Sequence, residues 1–219
     1  MKLDILNGIV IVFLIIFLLP YLFEKKYMYA TKELNKTHFN TGDIVLFNTK
    51  GYCNKFKRNI IKVAMFYTNI ITGDDFQHIG IIKMINEIPY VIHMHGTSMC
   101  ITDNSCTFSI IPLFQYLDKN YYIFHMPIKK SFPIDKIYSQ GKYISVFDLI
   151  LTHYFKIDNY DDHTFSCVSF VNKILYDNNV INQSEYSENK NQLIKEFILH
   201  NKRRYGKIQY LYSKNNIYI

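Results

Sequence analysis

Cys167 is the residue from which chemistry is most readily read. It opens a stretch in which Cys167, Phe170, Val171, Ile174 and Leu175 recur at the i, i+3, i+4, i+7, i+8 spacing of a buried helical face. Thr164 or Ser166 can cap that helix, which sets Cys167 at or near its first position. Asp177-Asn178-Asn179 supplies the stop, since Asn tolerates the left-handed cap conformation. Unpaired backbone N–H groups and the positive end of the helix dipole favour the thiolate there, and the thiolate is the reactive form. The same place on an apolar stripe also suits a buried structural cysteine.

A thiol nucleophile needs a base, a group to orient that base, and N–H donors for the oxyanion. Phe76–Lys83 reads as a strand with His78 near its start. Asn86-Glu87 reads as a hairpin turn, and Pro89–Gly96 as the returning strand. Side chains alternate along a strand, so His93 and His95 face the same side of the sheet. Same-face neighbours lie about 7 Å apart, so only one can meet His78, and spacing alone does not choose between them. His38, His125, His153, His163 and His200 read as ordinary satisfied or half-exposed histidines. Two histidines on one face with His78 and Cys167 also form a set that zinc accepts. No close-spaced ligand motif accompanies them, so no metal or cofactor is expected.

Other elements must hold these residues in place. Thr41-Gly42-Asp43 is a turn that leads into a short apolar strand, Ile44–Phe47. Residues 54–69 carry Phe56, Ile60, Ile61, Ala64 and Tyr67 at helical spacing. Thr72-Gly73-Asp74-Asp75 is a second turn. Residues 97–107 read as a polar loop, Phe108–Phe114 and Tyr121–Met126 as strands, Pro133–Gln140 as a short helix and Ser145–Phe155 as a longer apolar one. A last helix is expected from Ser187 to His200 with Leu193, Ile194, Phe197 and Ile198 inward, and Ile208–Tyr212 reads as a final strand.

From Ile5 to Phe23 no residue carries a charge. As a helix that run spans about 28 Å, near the thickness of a bilayer core. It therefore reads as an uncleaved transmembrane anchor. Lys25, Lys26, Lys32 and Lys36 after it, against Lys2 before it, place the globular part on the cytoplasmic side of a single-pass membrane protein. The domain reading is an anchor over 1–24, a juxtamembrane linker over 25–40 and one globular domain over 41–219. The 219 residues suffice for one domain with a core. The net charge of +7 is dispersed apart from Lys202-Arg203-Arg204, which reads as a solvated helix end. No nucleic-acid motif is present, so no nucleic-acid partner is expected. The 4 cysteines, at 53, 100, 106 and 167, do not form a disulfide framework in a chain of this length. On the cytoplasmic side Cys100 and Cys106 are expected to stay unbridged.

The ordered pattern narrows the reading. It runs Thr41-Gly42-Asp43-Ile44-Val45-Leu46-Phe47, then Thr72-Gly73-x-x-Phe76-x-His78-Ile79-Gly80-Ile81-Ile82, then Tyr90-Val91-Ile92-His93, and much later Phe165-Ser166-Cys167-x-x-Phe170-Val171. It resembles the circularly permuted branch of the NlpC-like papain-fold thiol hydrolases, which includes YiiX-like bacterial proteins, proteins of large DNA viruses and the lecithin–retinol acyltransferase group. The likeness covers about residues 41–200. It implies an α+β, papain-like domain with an antiparallel sheet packed on helices, here preceded by the transmembrane helix. It also implies Cys167 as nucleophile, His78 as base and His93 as the third, orienting residue. His95 is then a pocket wall or an alternative third residue. The segment between His93 and Cys167 matches no member, and nothing after Cys167 matches the Asn-Cys-Glu-His signature of the acyltransferase group.

The expected function is a membrane-anchored cysteine hydrolase or acyltransferase. It would cleave an amide or ester of a peptide, isopeptide or lipid through a thioester on Cys167. The alternative is an inactive, membrane-anchored binding module of the same fold.

Overall fold

The computed structural model describes residues 30–49, 73–95, 107–117, 121–137, 142–143, 164–188 and 192–212. Alternating apolar residues build a seven-stranded sheet from β1 (Ala30–Glu33), β2 (Ile44–Thr49), β3 (His78–Ile85), β4 (Ile88–His95), β5 (Thr107–Pro112), β6 (Tyr121–Met126) and β9 (Gln209–Tyr212), in the order β1-β9-β6-β2-β3-β4-β5. Two short strands, β7 (Lys142–Tyr143) and β8 (Thr164–Phe165), pair in parallel apart from it. The helices are α1 (Phe114–Leu117), α2 (Cys167–Asp177), α3 (Gln183–Glu188) and α4 (Ile194–His200).

The period of two sorts the strand residues onto two faces. Ile44, Leu46, Ile79, Ile81, Ile92 and Met94 turn toward α2, where they meet Phe170, Val171 and Ile174. Val45, Phe47, Ile82 and Val91 turn to the other face and pack with Phe39, Leu113 and Tyr116. The β3–β4 hairpin closes on Asn86 and Glu87, both at positive φ (49° and 65°), the backbone that a two-residue turn between twisted strands requires.

At the head of β2 the turn Thr41-Gly42-Asp43 is tied down by one carboxylate. Asp43 Oδ2 accepts from the Asn40 N–H (2.9 Å) and from His125 Nε2 (2.7 Å), and Oδ1 accepts from the Ile128 N–H (2.7 Å). Both side chains of the Asp43–His125 pair are sealed from solvent. His125 Nδ1 has no partner among the described residues, and the ring lies 4.9 Å from that of Phe39.

Several expectations need correction. The main sheet is mixed, not antiparallel, because β1 pairs in parallel with β9 while its other pairings are antiparallel. The architecture is therefore a mixed seven-stranded sheet with a few helices. The helix preceding the domain and the single-pass membrane location are not supported. No helix among the described residues is long and apolar enough to cross a membrane. The longest, α2, has 11 residues, about 16 Å, roughly half of a bilayer core. Ile5–Phe23 lies outside the described residues. Its lack of charge reports hydropathy alone, a property that segments buried in protein share with spanning ones. The cytoplasmic orientation rested on that span and goes with it.

Pro133–Ile137 forms no helix. The N–H groups of Asp135 and Lys136 donate to Asn178 Oδ1, and the Lys136 carbonyl, which a helix would have turned to the N–H four residues on, accepts from Asn178 Nδ2 instead. The strand over Phe108–Phe114 stops at Pro112 and turns into α1. The single helix expected from Ser187 is α3 ending at Glu188, then α4 starting at Ile194. The helices read at 54–69 and 145–155, and Cys53, Cys100 and Cys106, lie outside the described residues.

Candidate active site

His78 is the first residue of β3 and His93 the sixth of β4. The register Ile81↔Ile92, continued, sets Gly80 opposite His93 and His78 opposite His95. His78 is nevertheless bonded to His93, on the diagonal. Its Nε2 lies 2.6 Å from His93 Nδ1, with the rings 4.8 Å apart and nearly perpendicular. Gly80 makes the diagonal possible. A Cβ there would stand 2.6 Å from Val91 Cγ1 and 3.2 Å from His93 Cβ. Without one, β4 lies close over β3 and the imidazole of His93 can lean toward His78.

The other nitrogen of His93, Nε2, is bonded to the hydroxyl of Tyr116 in α1. Phe47 packs against all three rings. His93 and Tyr116 are buried, and His78 is half-buried. His95 ends β4 opposite Thr107.

Cys167 is the first residue of α2. Ser166 is the N-cap, and a reciprocal capping box with Ser169 fixes the helix start: Ser166 Oγ accepts from the Ser169 N–H (3.1 Å), and Ser169 Oγ accepts from the Ser166 N–H (2.7 Å). The thiol does not have the lowered pKa that a helix start favours. Cys167 is 4% exposed, and burial pushes its pKa up to about 12. The N–H groups of Ile79, Val168 and Cys167 itself pull the other way, and the charge of Asp74 adds to the rise. Desolvation outweighs the N-terminal donors because it acts on the whole ion, while each N–H offers one bond.

The structure thus gathers His78, His93 and Tyr116 on one face of the sheet. It brings Cys167 to the same stretch of β3 from the α2 side, through Ile79, the neighbour of His78. His78 and Ile79 leave opposite faces of the strand, with His78 bonded to His93 and His93 to Tyr116.

Two participants were not legible in the sequence. Tyr116 lies 23 residues from His93, in a stretch with no periodic signal. Asp74 was read only as a turn residue. It is buried, and its Oδ1 accepts from the Lys195 N–H (2.6 Å), so it caps α4 from a distant part of the chain. Burial raises its pKa from 3.8 to about 6, against the opposing Lys195 N–H bond and charge. A carboxyl raised on folding stabilises most when protonated. Its contribution is complete below about pH 4 and is lost as pH rises through about 6. Unfolding by urea is expected to show stability falling across that window by about 2–3 kcal/mol from this group. Asp74→Asn keeps an acceptor for Lys195 and should remove the slope. A slope unchanged in that variant would assign it to another group.

The chain is similar to YiiX. The match is to the crystal structure of metalloprotein yiiX from Escherichia coli O157:H7 (DUF1105), at 17% identity over 66% of this chain and 69% of that one, with a TM-score of 0.36. No family model and no curated protein matches the chain. A likeness to YiiX that distant lends this chain neither residues nor activity. Among the described residues no three His, Cys, Asp or Glu side chains gather where they could hold a metal ion.

Proposed function

We propose that the protein is a cysteine hydrolase or acyltransferase acting on an amide or ester bond. Cys167 is the nucleophile, His78 the base and His93 the residue that orients it. The observation that carries this reading is the 2.6 Å contact between His78 Nε2 and His93 Nδ1, on the strand whose next residue donates its N–H toward the Cys167 sulfur. That contact engages one nitrogen of His78 and makes Nδ1 the atom that takes the thiol proton. The sulfur attacks the carbonyl carbon, and the N–H groups at the start of α2 are donors for the resulting oxyanion. Collapse expels the amine or alcohol, protonated by His78, and leaves a thioester for water or a second acceptor.

A thiol with a pKa near 12 is not a preformed thiolate. Deprotonation therefore accompanies attack, and substrate binding has to bring sulfur and imidazole together. The buried, protonated sulfur favours one rival reading, a binding module in which Cys167 is a core residue.

A panel of acyl, peptide and lipid thiol probes, with the modified residue mapped by mass spectrometry, separates the two. The expected result is labelling at Cys167 by at least one probe class, abolished in Cys167→Ser with the fold intact. Labelling confined to Cys53, Cys100 or Cys106, or none at all, would overturn the enzyme reading.

A further inference from the structure

Two exposed pairs of cations, Lys129-Lys130 and Lys202-Arg203, meet on one surface although 73 residues separate Lys129 from Lys202. The backbone brings them together. The Gly206 N–H donates to the Pro127 carbonyl (2.7 Å), Ile128 bridges to Tyr205, and the Lys129 N–H donates to the Arg204 carbonyl (2.9 Å). Lys129 Nζ then reaches the Lys202 carbonyl at 3.5 Å. Asn201 holds the second segment in its turn. Its carbonyl accepts from the Arg204 N–H (2.9 Å), and its Oδ1 accepts from Arg204 Nη1 (3.2 Å).

Several cations elsewhere have a carboxylate: Arg204 meets Glu185 at 2.6 Å, Lys36 meets Glu33 at 3.1 Å, and Lys173 meets Asp177. Among the described residues Lys129, Lys130, Lys202 and Arg203 have none within ion-pair distance. The negative end of α4 accounts for Lys202 and Arg203. It does not account for Lys129 and Lys130, which follow β6. An apolar side chain stands beside these charges. Leu199, 53% exposed, lies one helical turn before Lys202 and Arg203. The inward positions of that stretch are Ile194, Phe197 and Asn201.

We infer that this surface makes a peripheral contact with anionic lipid headgroups: Lys129, Lys130, Lys202 and Arg203 meet the headgroup charges, and Leu199 enters the boundary between headgroups and acyl chains. Cations around an exposed apolar side chain suit such a boundary, which is charged on one side and apolar on the other. A nucleic-acid backbone would meet the cations and give Leu199 nothing. The contact needs no spanning helix and is independent of the chemistry at Cys167.

The test uses the full chain with phosphatidylcholine vesicles, with and without phosphatidylserine. Acetylation of each lysine by a water-soluble reagent is followed by mass spectrometry. Lys129, Lys130 and Lys202 are expected to be shielded several-fold only where phosphatidylserine is present, and Lys36 to react equally on both. The comparison cancels whatever the uncharged run Ile5–Phe23 contributes to binding, since that run does not distinguish the two lipids by charge. Lys129→Gln with Lys130→Gln should lower the preference for anionic over neutral vesicles about 25-fold, about fivefold per lysine. Leu199→Ser should lower binding to anionic vesicles about fivefold, the worth of the exposed half of a leucine. Equal acetylation on the two vesicles overturns the proposal, and so does an unchanged preference in the double variant. Shielding by RNA or an acidic peptide but not by vesicles, or full binding in Leu199→Ser, would take the surface away from lipid.

Discussion

His78→Ala is expected to slow acylation of Cys167 by about 10³-fold, within the range that general base catalysis supplies. That corresponds to about 4 kcal/mol of transition-state stabilisation. The expectation follows from the state of the thiol. With burial holding Cys167 near 12, no thiolate waits for substrate, so loss of the base removes the route by which the proton leaves. His93→Ala should cost less, about 10–10²-fold, because His78 stays in place but its ring loses the bond that holds it. His95→Ala should cost least. Single-turnover labelling with a reactive acyl probe, quantified at Cys167 by mass spectrometry, gives all three rates on one scale. His95→Ala more impaired than His93→Ala would reassign the orienting role. Full activity in His78→Ala would remove the thiol-hydrolase reading.

The largest expected effect on stability belongs to Asp43. Its carboxylate serves the Asn40 and Ile128 N–H groups and His125 Nε2 in a place sealed from solvent. Asp43→Ala leaves three donors without an acceptor there, and one of them is a histidine whose other nitrogen already has no partner among the described residues. Breaking such a buried pair costs about 3–5 kcal/mol, a large part of the 5–15 kcal/mol that holds a typical domain folded. Urea denaturation should show the midpoint displaced accordingly with the slope unchanged. Replacing both partners, Asp43→Asn with His125→Phe, should recover part of the loss by removing one orphaned donor. A shift below about 1 kcal/mol in Asp43→Ala would mean that water reaches the site.

What the sequence made legible follows from the range of the forces involved. The β3–β4 hairpin, the strand after Thr41-Gly42-Asp43, the strand Tyr121–Met126 and the capped start of α2 were readable because each is encoded within a few residues: Asn86-Glu87 for the turn, alternation for the strands, Ser166 and Ser169 for the cap. What stayed hidden came from partners far apart in sequence. Asn178, 42 residues from Lys136, holds the backbone of residues 135 and 136 in the non-helical form seen where a helix was expected. Asp74 caps α4 at Lys195, so α4 begins later than its local signal, Ser187, suggested. Tyr116 reaches His93 only because β5 ends where it does. The state of Cys167 was hidden for another reason. Helix-end electrostatics can be seen in a sequence, whereas the depth of burial that opposes them depends on how closely β3 and β4 pack under α2.

The parallel pairing of β1 with β9 bears on the order in which the chain can assemble. β9 lies between β1 and β6, so two strands from the first two thirds of the sequence stay apart until the last described strand has been made. During synthesis β6 presents an unpaired edge from residue 121 until residue 209 arrives. Closing that gap is a long-range step whose entropy must be met before its contacts form, and such steps are slow. Ribosome-bound chains ending before residue 209 should therefore hold the β2–β3–β4 part of the sheet with one side open. In that interval the chain is most exposed to pairing with another copy of itself.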